Sequence, residues 1–258
     1  MKQLSFAAAA VAAVALSTHP ARAGVVITQQ QVATGQFGER KTEQTIMIQG
    51  NKQKMVTGER EIITDLDNSV MYLIDPSKSS YFQLPFPPTG PMAQAVAHAA
   101  GAMDFKRGTT SRKVLGYPCN DYTGTGQSMS GDYTVTQCFS TSAPGAKEFN
   151  AFQKAMAAKL KSVVPESNTP DGIPLASDST VHMNTMRLPN LPPEQAQKLQ
   201  QQLAKMKPVT TKTEVTKLEA KNLPADTFVV PKGYTQRTLG MPPAGEAKAP
   251  APAPSPAK

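Results

Sequence analysis

The sequence predicts an α+β domain rich in β-strands, in which helices cover an antiparallel sheet. Between Glu43 and Leu84, turn-forming residues recur every eight or nine positions, which is typical of an antiparallel meander. Several strands between these turns, notably residues 70–74, are apolar on both faces, so a second layer must cover the sheet. Later segments with apolar residues at helical spacing can supply that layer.

The first 23 residues predict a secretory signal peptide. They contain a positive charge at Lys2, a short apolar run over residues 6–16, and the small-x-small sequence Ala21-Arg22-Ala23. We expect cleavage after Ala23. No other stretch approaches the roughly 20 apolar residues of a transmembrane helix. The sequence therefore predicts a periplasmic or secreted protein that does not span a membrane.

Strand segments occur on both sides of the predicted helices. They are residues 44–48, 61–66, 69–74, 80–84, 172–177, 180–188 and 209–219. Residues 222–234 are predicted to be the last ordered element. From residue 240 onward the chain is rich in Pro and Ala, which cannot bury a core. We therefore expect one domain over residues 24–239 and a disordered tail over residues 240–258.

The two cysteines of the chain, Cys119 and Cys138, lie in a segment where strand-forming residues flank a glycine-rich middle. This pattern predicts a β-hairpin. Thiols in an oxidising compartment are driven to disulfides, and the spacing is not that of a C-x-x-C redox motif. A zinc site would need further Cys or His ligands nearby. We therefore predict a structural disulfide within the hairpin.

Residues 147–164 are predicted to form a helix that packs on the sheet. Its apolar face comprises Phe149, Phe152, Met156, Leu160 and Val163. A second amphipathic helix is predicted over residues 192–207, which begin with two prolines, as the first turn of a helix tolerates. The Ala-rich residues 90–103 predict either a helix or a mobile flap.

The charge of the chain does not indicate a nucleic-acid partner. The formal net charge is +8, and loss of Lys2 and Arg22 with the leader would lower it to +6. A nucleic-acid binder would be expected to cluster Lys and Arg on one face and to interleave aromatic residues, and no dense basic run is present. We expect no more than weak attraction to anionic lipid or polymer.

The sequence offers little for catalysis, so we expect a protein that is not an enzyme and needs no cofactor. Beyond the leader, His98 and His182 are the histidines, which makes a Ser/His/Asp or Cys/His arrangement hard to build. Asp65 and Asp67 flank Leu66 and are a candidate pair of carboxylates. Because Asp and Asn are turn residues, a turn before Asn68 is the favoured interpretation.

A copper site is a further alternative. Met183 and Met186 lie close to His182, and thioethers and imidazole suit copper. In a strand, however, Met183 would point away from the other two residues. Methionine also fills irregular apolar space and lines adaptable binding surfaces. We therefore interpret the methionines as core or pocket lining and predict no metal site.

Several motifs together resemble a known family. They are "DLDNSVMYLIDPSKSSYFQLP", "KVLGYPCNDYT", "DGIPLAS" and "TEVTKLEAKNLPADTFVVPKGY". On these motifs the chain resembles an uncharacterised family of exported bacterial domains with a lipoprotein-carrier (LolA/LolB-like) fold. The resemblance covers roughly residues 24–234. It implies an open antiparallel half-barrel whose concave face is covered by helices and holds an acyl chain or apolar peptide, and it implies no chemistry.

The favoured function is therefore binding of an apolar ligand, such as a lipid or the acyl chains of a lipoprotein, in the half-barrel. The predicted pocket residues are Tyr72, Ile74, Phe82, Phe149, Phe152, Met156 and Leu160. The alternative is a closed core and a protein that acts through its surface on other envelope proteins, because tightly packed cores are the usual result when apolar faces meet.

Overall fold

The computed structural model of the chain describes residues 23–36, 38–99, 103–128, 131–182, 192–203 and 205–238. The predicted signal peptide, up to residue 22, and the predicted tail lie outside the described residues. So do Met183 and Met186 of the candidate copper site, and residues 183–188 of the strand predicted over residues 180–188.

The described residues form twelve β-strands and three α-helices. The first six strands are β1 (Gly24–Gly35), β2 (Gly38–Gln49), β3 (Lys52–Thr57), β4 (Arg60–Asp65), β5 (Val70–Asp75) and β6 (Ser80–Pro85). The other six are β7 (Asp104–Val114), β8 (Tyr117–Ser128), β9 (Gly131–Ser140), β10 (Ile173–His182), β11 (Val209–Lys221) and β12 (Thr235–Arg237). The helices are α1 (Gly90–Ala99), α2 (Ala146–Leu160) and α3 (Pro193–Leu203).

All twelve strands belong to one open sheet, in the order β12-β6-β5-β4-β3-β2-β1-β11-β10-β9-β8-β7. Neighbouring strands are antiparallel, except that the short β12 runs parallel to β6 at one edge. The predicted meander is confirmed in β2 to β6. The unclosed sheet is consistent with the predicted half-barrel, and its centre is the pairing of β1 with β11, which sequence patterns did not predict.

Apolar residues cover both faces of the sheet near β1 and β2. We call the side contacted by α2 the helix face and the opposite side the far face. Val25 and Ile27 of β1 lie on the helix face, in one core cluster with Phe149 and Phe152 of α2. Val26, which points the other way, belongs to a second cluster on the far face.

The far face is covered by the segment that follows β11. Leu223 and Phe228 of this segment are buried in the second cluster together with Ile63 and Ile74. A hydrogen bond of 2.7 Å from the backbone N–H of Leu223 to the side-chain oxygen of Gln49 fixes the start of the segment. Residues 222–234 thus form a covering segment with a short 3₁₀ helix at Ala225–Phe228, and they are not the last ordered element, because β12 follows them.

The predicted hairpin and disulfide are confirmed. Cys119 lies in β8 and Cys138 in β9, and the bond between them joins these neighbouring strands. Both residues are buried in the core cluster of the helix face, at 2% and 0% exposure. The disulfide therefore lies inside the fold, away from solvent, as expected of a structural bond.

Candidate ligand-binding site

Helix α2 lies close to β1 at Gly145, the residue just before the helix. Gly145, which precedes the helix, has a φ of 80°, and a Cβ built there would lie 2.5 Å from two side-chain atoms of Val25. Only glycine allows the chain to enter the helix so close to β1. Three residues into the helix and beyond, Phe149 and the fully buried Phe152 complete the contact.

Polar contacts hold the two ends and the flank of α2. Near its start, the carboxylate of Glu148 accepts a hydrogen bond from the backbone N–H of Gly50. The side-chain oxygen of Asn150 accepts another, of 2.8 Å, from the backbone N–H of Gly172 just before β10. Near the end of the helix, Lys159 donates a hydrogen bond of 2.9 Å to the hydroxyl of Ser69. These contacts tie the helix to three separate connections of the sheet.

A cavity of about 450 Å³ lies between α2 and the helix face. Gln53 of β3 and Val135 of β9 both line it, although five strand spacings separate these strands in the sheet order. At about 4.8 Å per spacing they would be about 24 Å apart in a flat sheet. The sheet must therefore curve around the cavity. Its volume is within the range of small-molecule sites, about 300–1,000 Å³.

The lining of this cavity, which we call the central cavity, changes character along the strands. In β1, alternate residues on the helix face run from Val25 and Ile27 next to α2 to Gln29 and Gln31 further along. Strand β11 follows the same trend, from Val215 in the core to Thr213 and Thr211 in the lining. The full lining is Ile27, Gln29, Gln31, Ile46, Gln53, Met103, Tyr133, Val135, Gln137, Phe149, Gln153, Ile173, Pro174, Ser177, Ser179, Val181, Thr211 and Thr213.

Hydrogen bonds between side chains organise the polar part of the lining. The amide of Gln29 donates a bond of 2.6 Å to the side-chain oxygen of Gln44, whose own amide donates to the hydroxyl of Thr57 at 3.0 Å. Across the cavity, the amide of Gln137 donates to the hydroxyl of Ser177 at 3.4 Å. Gln31 and Gln53 line the cavity without entering either chain of bonds.

Two further hollows continue around α2, with volumes of about 340 Å³ and 460 Å³. Their outer wall is the segment that follows the helix, including Ser167 and Thr169. This wall is fixed to the start of β7, where the neighbouring Asn168 accepts a hydrogen bond of 2.6 Å from the backbone N–H of Phe105. Gln153 lines the central cavity and both hollows, so it stands at their junction.

The structure places the predicted pocket residues in three different surroundings. Phe149 lines the central cavity, while Met156 and Leu160 line the furthest hollow. Phe152 belongs to the closed core, with 0% exposure. Phe149, Met156 and Leu160 therefore line cavities that share Gln153, and Phe152 lines none of them.

Tyr72 and Ile74 are not brought together with α2. Both belong to the far-face cluster, where the segment after β11 covers them. Phe82 pairs with Leu73, so the two lie on the opposite side of the sheet from Tyr72, but Phe82 is not among the lining residues of the three cavities. Tyr72 and Ile74 share the far face of β5, whereas Phe82 of β6 lies beside Leu73 on the other face.

Sequence reasoning missed the glutamines of the central cavity. The signal was the run Gln29-Gln30-Gln31 after the apolar start of β1, since glutamine has no special preference for strands. In the structure Gln30 is exposed on the far face, while Gln29 and Gln31 are half-buried on the helix face. Alternation within the run could have predicted that the two outer glutamines share one side of the sheet.

Asp65 serves a turn, as the favoured interpretation predicted. It is buried and accepts hydrogen bonds from the backbone and side chain of Asn68 at 3.0 Å and 2.8 Å, and Lys52 lies 3.0 Å away. Burial acts to raise the pKa of Asp65, but the bonds from Asn68 and Lys52 outweigh it and lower that pKa. Asp67 is turned outward and accepts a bond from Asn51 instead.

The described residues show no group of three or more His, Cys, Asp and Glu side chains placed to hold a metal ion. In the same part of the chain, no helix is both long and apolar enough to cross a membrane.

Burial raises the pKa of Tyr133, which lines the central cavity. His182 is the last residue of β10, at the point where the described part of the strand ends.

Solved structures are similar to this chain across most of its length. One is a putative outer membrane lipoprotein-sorting protein domain from Vibrio parahaemolyticus, with 6% identity and a TM-score of 0.35 over 80% of this chain and 89% of that one. Another is a LolA superfamily protein from Nitrosomonas europaea, with 10% identity and a TM-score of 0.29 over 80% and 90%. The names of these two proteins are those of the lipoprotein-carrier family that the sequence resembles.

Two further structures share this similarity. A DUF1329 family protein from Desulfovibrio piger has 8% identity and a TM-score of 0.31 over 81% of this chain and 90% of that one. The structure of PNGF-II has 10% identity and a TM-score of 0.40 over 83% of this chain, which spans 31% of the length of PNGF-II. No protein-family model matches the chain, and no curated protein matches it by sequence. The LolA-like similarity assigns no ligand to this chain.

Proposed function

We propose that this protein is a non-enzymatic periplasmic protein that holds an apolar ligand, such as the acyl chain of a lipid or lipoprotein, between its sheet and helix α2. The observation that carries the proposal is the set of three adjoining cavities around α2. Helix α2 packs against β1 through Phe149 and Phe152, and the central cavity lies beside Phe149.

The shape and lining of these cavities suit an acyl chain. Met156, Leu160 and Val164 line the furthest hollow, and Phe149, Ile27 and Ile46 line the central one. An extended hydrocarbon chain placed along them would bury its apolar surface away from water. This burial stabilises the complex by about 25 cal/mol per Å² of apolar surface. The buried disulfide fits an oxidising compartment such as the periplasm.

Binding of an uncharged, environment-sensitive probe, N-phenylnaphthylamine, tests the proposal. Saturable fluorescence enhancement is expected with delipidated, folded protein. Gln153→Trp should weaken it at least several-fold, because the indole would fill the junction of the three cavities. The matched control is Ala151→Trp, which places the same side chain at an exposed position of the same helix.

The opposite result would favour the alternative of a surface-acting envelope protein. Absence of saturable binding in protein with native circular dichroism would overturn the proposal. Equal binding by the Gln153 and Ala151 variants would show that the probe binds elsewhere. Phe152 is unsuitable for this test, because a polar side chain at a fully buried position would unfold the protein.

A further inference from the structure

The central cavity contains no charged side chain among the described residues that line it. This is notable in a chain with 27 Lys and Arg and 19 Asp and Glu. The hollows on the other side of α2 do include charged residues, among them Lys154 and Asp171 in one and Lys161 and Glu166 in the other. The absence of charge is therefore a property of the central cavity and not of the whole groove around α2.

The polar groups that line the central cavity are carboxamides and hydroxyls. The lining includes five glutamines, Gln29, Gln31, Gln53, Gln137 and Gln153. It also includes the hydroxyl-bearing residues Ser177, Ser179, Thr211 and Thr213. Each carboxamide and each hydroxyl offers both a donor and an acceptor. Such a lining can match the hydroxyl or amide groups of an uncharged ligand, whatever the order of donors and acceptors.

A charged group of a ligand would bind weakly in the central cavity. A carboxylate, phosphate or ammonium brought into this half-buried lining would lose part of its hydration and would find no opposite charge. An uncharged hydroxyl or amide group exchanges its hydrogen bonds with water for bonds of similar strength to the lining. The cavity should therefore discriminate between ligands by the charge of their polar end.

In β1 and β11 the polar and apolar residues on the helix face are separated along the strand direction, whereas Val135 of β9 and Val181 of β10 lie level with or beyond the polar residues. Ile27 and Gln31 lie four residues apart on the same face of β1, which corresponds to about 13 Å along the strand. The apolar end lies against Phe149 of α2, and the polar end is bounded by Thr213 on the neighbouring strand. One molecule with an apolar and a polar part would contact both ends at once.

We propose that the natural ligand is an amphiphile with an uncharged, hydrogen-bonding head group, and that the head group lies against Gln31 and Thr213 while the acyl chain lies along α2. The proposal rests on the proposed function, since it assumes that these cavities hold an acyl chain. It goes further by naming the class of head group, a polyol, sugar or amide, and by giving the ligand one direction in the cavity.

Competition against bound N-phenylnaphthylamine tests the head-group class. The competitors share one lauroyl or dodecyl chain: monolauroylglycerol, laurate and dodecyltrimethylammonium, each used below its micelle concentration at neutral pH. Monolauroylglycerol should compete roughly tenfold or more strongly than either charged amphiphile. Equal competition by all three would overturn the head-group proposal while leaving the proposed function standing. Absence of saturable probe binding would overturn the proposed function itself.

A charge introduced at the polar end tests the direction of the ligand. Gln31→Glu should strengthen competition by dodecyltrimethylammonium roughly tenfold relative to monolauroylglycerol, because the carboxylate supplies the missing opposite charge. The control is Gln83→Glu, which makes the same change at an exposed position on the far face. An equal response of the two variants, or none at Gln31, would show that the head group does not lie there.

Discussion

The carboxylate of Glu148, in the first turn of helix α2, accepts a hydrogen bond from the backbone N–H of Gly50, in the turn between β2 and β3. The two residues are 98 positions apart in the chain. The bond fixes the start of the helix above the sheet, and the negative charge also lies favourably at a helix N-terminus. It links the position of α2 to a turn that belongs to the first half of the meander.

Loss of this carboxylate should lower stability. Glu148→Ala leaves the half-buried N–H of Gly50 without its partner, so we expect a loss of about 1–3 kcal/mol in the free energy of unfolding. Urea denaturation measures it. Glu148→Gln keeps an acceptor and should lose roughly half as much. If the glutamine variant is as unstable as the alanine variant, the charge and not the hydrogen bond is responsible.

The close approach of Gly145 to Val25 should make the start of α2 intolerant of any side chain. Gly145→Ala places a Cβ 2.5 Å from Val25 and forces alanine into a positive φ. We therefore expect a loss of about 2 kcal/mol or more in the free energy of unfolding. Gly116→Ala is the matched control, because its φ of 82° is nearly the same but no atom lies within 4 Å. Similar losses in both variants, measured by thermal unfolding, would mean that backbone strain alone matters.

The disulfide should contribute to stability by restricting the unfolded chain. The bonded cysteines are 19 residues apart, for which the chain-entropy model gives about 3 kcal/mol. A Cys119→Ala, Cys138→Ala double variant should unfold at correspondingly lower urea concentration and should keep probe binding where it remains folded. Thiol labelling of denatured, unreduced wild-type protein should find no free thiol. Labelling of two thiols per chain would contradict the prediction.

The buried carboxylate of Asp65 should make stability depend on pH. Its pKa is lower in the folded protein than in the unfolded chain, so its contribution is complete above the unfolded pKa of about 3.9 and is lost as the pH falls through the folded value. The free energy of unfolding of wild type should exceed that of Asp65→Asn by about 2 kcal/mol at neutral pH. The difference between the two proteins should shrink below about pH 4.

The control for this experiment is the neighbouring Asp67, which is exposed and accepts a hydrogen bond from Asn51. Asp67→Asn should change stability by less than Asp65→Asn at neutral pH. Urea denaturation series at several pH values measure both variants. A gap between wild type and Asp65→Asn that stays constant down to pH 2 would show that ionisation of Asp65 does not contribute.

The predictable part of the fold is the part that local residues determine. Turn residues such as Asp67 and Asn68 give the meander, and the spacing of Phe149, Phe152 and Met156 gives α2. The pairing of β1 with β11 depends on residues far apart in the chain, and no local pattern specifies it. For the same reason the sequence could not show that residues 222–234 cover the far face.

The candidate site was predicted in part, for a related reason. The helical face of α2 identified Phe149, Met156 and Leu160, because a helix on a sheet has one buried side. Strand 70–74 is apolar on both sides, so its sequence does not tell which side meets the helix. Tyr72 was assigned to the pocket, yet its strand register points it to the far face.

The central position of β1 has a consequence for how the chain folds. Strands β2 to β6 and β7 to β10 can each form by pairing between sequence neighbours. The two halves become one sheet only when β1 pairs with β11, with Gly24 opposite Lys221. While the chain is synthesised from its N-terminus, β1 therefore keeps one unpaired edge until β11 has been made. Joining these distant strands is a large loop closure, so we expect it to be the slow step of folding.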